Sequence, residues 1–77
     1  MYWKLLDSVE YDFGEMPMKT SKIIGVVMAI SPQDATFWFK LLAKNNIIHI
    51  PPMIYSNLIA NIEPATLEEY QDFRNML

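Results

Sequence analysis

Cysteine is absent from this 77-residue chain, so it has no disulfide framework and no thiolate to act as nucleophile or metal ligand. Small secreted domains usually need such staples, so the expected location is cytoplasmic. Glycine occurs only as Gly14 and Gly25, far apart and neither opening a helix after a strand, which excludes a glycine-rich phosphate loop. The single histidine, His49 in Ile47-Ile48-His49-Ile50, has no acid or serine at motif spacing and is expected to reach a backbone partner or solvent. One histidine with scattered carboxylates also falls short of the three or four clustered ligands a metal site needs. Long apolar runs are missing as well. The longest, Ile23 to Ile30, is far below the roughly 20 residues of a membrane-spanning helix, and no basic stretch followed by an apolar run marks the start. No cofactor, metal, membrane insertion or secretion is expected.

What the chain does have is apolar mass. Apolar residues make up 52 % of it and aromatics 13 %, too rich for disorder and enough for one folded domain covering residues 1–77. A chain this short hides only about 60–65 % of its unfolded surface, so the core must be dense. Charge is distributed unevenly. Residues 1–18 carry Asp7, Glu10, Asp12 and Glu15 against Lys4, and residues 51–77 carry Glu63, Glu68, Glu69 and Asp72 against Arg74. The middle is basic, with Lys19, Lys22, Lys40 and Lys44 against Asp34.

Strict alternation of apolar and acidic residues in Ser8–Phe13 predicts a half-buried strand with Val9, Tyr11 and Phe13 on one face. Strand character extends back towards Tyr2, with a bulge expected near Asp7 and Ser8 where the alternation changes phase. Gly14 to Ser21, punctuated by Gly and Pro17, reads as a loop. Ile23–Ile30 is apolar on both alternating sets, as in a strand covered on both faces and placed at the centre of a sheet. Ser31, Pro32 and Asp34 form a helix start, and Asn45 and Asn46 a helix end. In the helix they enclose, Ala35, Trp38, Phe39, Leu42 and Ala43 form an apolar arc, while Phe37 and Leu41 extend it beyond what one sheet can cover. Ile47–Ile50 reads as a further strand, and a strand-helix-strand unit of this length implies that its strands run parallel. After Pro51-Pro52, helical spacing predicts a short helix over 53–61, a break at Ile62–Ala65, and a last helix opened by the capping box Thr66-Leu67-Glu68-Glu69. The expected architecture is α+β: a small mixed three-stranded sheet, in the order β-β-α-β-α-α, packed against helices.

Three function classes remain. Catalysis is the least favoured: Glu10 with Asp12, and Glu68 and Glu69 with Asp72, sit on faces expected to be wet, where carboxylates keep ordinary acidity, so the chain is not expected to be an enzyme. Nucleic acid is not the expected partner either. Reading the two middle helices as a helix-turn-helix requires too long a connection and a second helix without Lys or Arg, and the net charge is −3. A nucleic-acid-linked regulator, acting through a weak lysine patch or by acidic mimicry of DNA, is the alternative. The main reading is a non-catalytic protein-protein interaction module. Six methionines, two tryptophans, four tyrosines and four phenylalanines exceed what a small core readily hides, and Met, Trp and Tyr favour interfaces. Candidate partner-binding residues are Tyr2 and Trp3 at the N-terminus, Met16 and Met18 in the expected loop, and Phe37 and Leu41 on the first helix beside Lys40 and Lys44. A short chain with no catalytic kit fits a small accessory protein of the kind phages use to inhibit or redirect a host complex by occlusion, or one that assembles with itself.

Overall fold

The computed structural model describes the backbone of residues 1–13 and 16–77 and the side chains of residues 1–7 and 21–77. Its elements are β1 (Tyr2–Phe13), β2 (Met16–Met28), α1 (Pro32–Lys44), α2 (Pro52–Tyr55), a 3-10 turn (Ile59–Asn61), β3 (Ile62–Ala65) and α3 (Leu67–Met76). The class is α+β, with a three-stranded sheet in the order β2-β1-β3. Every pairing is antiparallel, so the sheet is not mixed.

Local chemistry sets the helix ends where the sequence places them. The Ser31 hydroxyl accepts from the Asp34 N–H at 3.1 Å and Pro32 follows at the first helical position. Asn46 takes φ 60° at the far end, and the Asn46 and Ile47 N–H groups bond back to the Ala43 and Leu42 carbonyls at 3.1 and 3.0 Å. The Thr66–Glu69 capping box opens α3 with both of its bonds made.

Three expectations about strands require correction. The predicted loop at Gly14–Ser21 is strand from Met16 onward, because Pro17 stands at an edge position where its missing N–H costs no ladder bond. Ile47–Ile50 joins no strand, and the parallel strand-helix-strand unit does not form. That segment instead inserts Ile50, and in part Ile48, into the core by side chains alone. The third strand is Ile62–Ala65, which reads as a break because of Pro64. The helix expected over 53–61 is the single turn α2 followed by the 3-10 turn. Ser56 and Asn61 spend their side chains on the carbonyls of Met53 and Asn57, both at 2.9 Å, the local competition that makes these residues poor in helix interiors. The bulge lies at Leu5/Leu6, opposite Ile24, slightly earlier than the phase change suggests.

Alternation along β1 divides the structure into two layers around one sheet. Trp3 and Leu5 face α1, where Val27, Ala29, Ala35, Phe39, Ile50 and Leu58 complete the core. Leu5, Ala35 and Phe39 are wholly enclosed. Leu5 and Phe39 each gain about 1.5–3 kcal/mol on burial. The Trp3 indole N–H donates to the Ala29 carbonyl at 3.0 Å, so the ring can be buried without an orphan donor. Tyr2 and Lys4 face α3: Tyr2 meets Tyr70 at 4.9 Å between ring centroids, and Lys4 Nζ bonds Glu69 Oε2 at 2.9 Å. Val26 and Phe73 are buried on this side. β2 is therefore covered on both faces although it is an edge strand and β1, not β2, is the centre.

Candidate functional site

Which backbone groups of β2 are already used follows from one hydrogen bond and the register. The Ala29 N–H donates to the Met1 carbonyl at 2.9 Å, next to the Tyr2↔Met28 pair. Bonded and non-bonded pairs alternate in an antiparallel ladder. Trp3 and Leu5 thus bond toward Val27 and Gly25, and the N–H and C=O groups of Val26 and Met28 point away from β1. Both strand prolines fit this alternation. Pro17 lies opposite Asp12 and Pro64 opposite Trp3, and each position turns its nitrogen away from the ladder.

Beside this edge lies a groove that α1 and α3 wall from opposite faces of the sheet. Val26, Val27 and Met28 form its floor, Trp38 and Leu42 one wall, and Tyr70, Phe73, Arg74 and Leu77 the other, around about 350 Å³. Val26 is only 2 % exposed, and its outward N–H and C=O have no protein partner among the described residues. That exposure counts the main chain, so the groove's walls cover these groups, and Met28, 59 % exposed, is where the edge is open. Phe73 closes the groove at one end. A Cβ added to Gly25 would stand 3.4 Å from the Phe73 ring and 3.6 Å from both Phe39 and Ile48, ordinary packing distances, so these three side chains close in on the strand there. Arg74 is the groove's one charged side chain; it lies over the Tyr70 ring at 5.7 Å and has no carboxylate within salt-bridge distance among the described residues.

The candidates taken from sequence scatter. Phe37 and Leu41 are exposed, 59 % and 37 %, and Phe37 stands edge-on to Trp38 at 5.5 Å, continuing the groove's α1 wall outward. Lys40 sits over the Tyr55 ring at 5.9 Å and Lys44 is exposed; both border a separate hollow with Asn46 and His49. Trp3 is not a surface residue, since its hydrogen-bonded indole belongs to the core, and Tyr2 is half-buried beneath α3. Met16 and Met18 lie in β2 rather than a loop, and their side chains fall outside the described residues. Sequence reasoning missed Met28, Trp38, Arg74 and Leu77. Trp38 lies on the apolar arc of α1 but at its rim, 42 % exposed, and the unpaired edge has no sequence signal until the strand order is known.

Among the described residues no group of three or more His, Asp or Glu side chains converges as metal ligands, and no helix is long and apolar enough to cross a membrane. No family model, curated protein or solved structure matches the chain.

Proposed function

We propose that this protein is a non-catalytic protein-protein interaction module that binds through the β2 edge and the apolar rim around it. The observation that carries this reading is the apolar groove at Val26–Met28, where β2 has no strand on its outer side and Met28 is exposed. Main-chain hydrogen bonds supply affinity in such strand addition and flanking apolar side chains supply selectivity. Met28, Phe37, Trp38, Leu41 and Leu77 are all exposed around it, and contiguous apolar surface of this kind marks binding sites. The mode of action is occlusion of a partner's own strand-binding surface, or assembly.

The alternative, a nucleic-acid-linked regulator, rests on the hollow bordered by Lys40, Lys44 and His49. One experiment separates the two. Proteins cross-linked to the chain in cells of its source are compared among the unmodified protein, a Phe37→Asp/Trp38→Asp variant and a Lys40→Glu/Lys44→Glu variant, with fluorescence anisotropy on labelled duplex DNA alongside. The interaction reading expects the apolar variant to lose its cross-links and the lysine variant to keep them, with no DNA binding. Lysine-dependent DNA binding with an unaffected protein profile would favour the alternative.

A further inference from the structure

We infer that the hollow beside the end of α1 is a binding site for the phosphoryl group of a small ligand; this goes beyond the interaction reading and does not depend on it. Lys40 and Lys44 stand one turn apart on α1, a spacing that puts both ammonium groups on one side of the helix. Asn46 ends the helix at φ 60° and turns the chain, with the Ile47 N–H bonded to the Leu42 carbonyl at 3.0 Å. Ile50 is then anchored in the core, Ile48 is half-buried against it, and His49 between them is exposed. Pro51 and the single turn of α2 bring Tyr55 to the same place, with its ring 5.9 Å from Lys40 Nζ. Lys40, Lys44, Asn46, His49 and Tyr55 thus surround one concavity of about 310 Å³.

The donors of this concavity decide what it takes. Lysine ammonium groups donate three hydrogen bonds and accept none, and the amide, phenol and imidazole add further N–H and O–H groups. Among the described residues none of the five side chains makes a hydrogen bond or an ion pair, and no carboxylate lines the hollow. Two like charges at that helical spacing repel each other, so the concavity favours an anion with several acceptor oxygens, as a phosphoryl group has. The negative end of the helix does not take up the lysine charge. Its Leu41, Leu42 and Ala43 carbonyls are already bonded by the Asn45, Ile47 and Asn46 N–H groups. Ala43 and half-buried Ile48 give the hollow an apolar floor beside the cations, where an organic group attached to the phosphate can rest. Size and charge select a small ligand over a polymer. A duplex needs cations in a row over an extended face, whereas Lys4 is held by Glu69, Arg74 lies over Tyr70 and the net charge is −3. The volume falls at the small end of ligand sites, which span about 300–1,000 Å³.

Isotope-labelled protein is titrated with phenyl phosphate, inorganic phosphate, phenol and sodium chloride, and its backbone amides are followed by NMR at matched ionic strength. The expected result is saturable shifts of the Lys44, Asn46 and His49 amides with phenyl phosphate, at a Kd in the millimolar range or tighter, and none with phenol or chloride. Inorganic phosphate binding as well as the ester supports the site with phosphate itself as ligand; a tighter ester supports it with the apolar floor occupied too. Lys40→Gln/Lys44→Gln, its unperturbed amides showing the fold intact, should weaken binding about tenfold or more, and Lys40→Arg/Lys44→Arg should restore most of it. No saturable shift, shifts reproduced by chloride, or equal affinity in the Gln variant overturns the inference. Labelled duplex DNA that displaces phenyl phosphate and binds more tightly through the same lysines overturns it as well, since the hollow would then be a nucleic-acid contact.

Discussion

The two edges of this sheet are built to opposite ends. On β3 the outward positions are Ile62 and Pro64: the Ile62 N–H is taken by the Ile59 carbonyl and Pro64 has none, so the strand presents no free donor. It is also only four residues long. Short length and proline are how proteins blunt an edge against unwanted pairing. On β2 the Val26 and Met28 donors point away from β1; Val26 is covered, whereas Met28 is 59 % exposed. Proline and lysines guard the far half of β2, at Pro17, Lys19 and Lys22, and stop short of the groove. One edge presents no free donor, and the other keeps one on an exposed residue, Met28.

The largest expected effect removes the comparison altogether. Leu5 lies in the central strand, wholly buried, and Leu5→Ala should cost about 2–5 kcal/mol, so a thermal or urea melt should show both edges lost in one transition. Next comes conversion of one edge into the other. Met28→Pro removes an outward N–H as Pro64 does, and should abolish most binding at β2 while moving the melting temperature of the dilute protein by only a few degrees.

A smaller effect concerns α3, which walls the β2 groove and is tied to the sheet by Lys4 and Glu69. The Lys4 hydrogen bond foremost, and the Thr66 N–H after it, hold the Glu69 carboxyl below its ordinary value of 4.5. The carboxylate's contribution is therefore complete above that value and is lost as pH falls through the lowered folded one. Denaturant melts should show Glu69→Gln less stable than the unmodified protein at neutral pH, with the gap closing in that acid range; a gap independent of pH would mean that the charge contributes nothing. The smallest effect is at β3. Pro64→Ala restores a donor to the closed edge, which is only four residues long and has its Ile62 donor already taken, so stability should move by about 0.5 kcal/mol or less and the particle mass not at all.

The helix ends were legible in the sequence because capping is decided within a few residues: Ser31 with Asp34, Asn46, and Thr66 with Glu69 all act as their types suggest. The α+β class was legible for the same reason, from periodicity. Strand order was not. Ile23–Ile30 is apolar on both alternating sets, which is the signature of two covered faces; a strand at the centre and an edge strand between two helices share it. Ile47–Ile50 alternates like a strand and Pro64 reads as a breaker, but ladder membership depends on which neighbour is present, a fact of the whole chain. The site inherited that blindness. Phe37 and Leu41 could be recognised as surplus apolar surface on one helix, whereas the groove they border exists only once β2 is known to be an edge.

Amide hydrogen exchange, read residue by residue with and without the cross-linked partner, tests the claim that the β2 edge and its apolar rim are the binding surface most directly. The account predicts that the Met28 amide slows by tenfold or more when the partner binds, while the Ile62 amide on β3 keeps one rate throughout. Binding that leaves Met28 unchanged and slows amides elsewhere would contradict it.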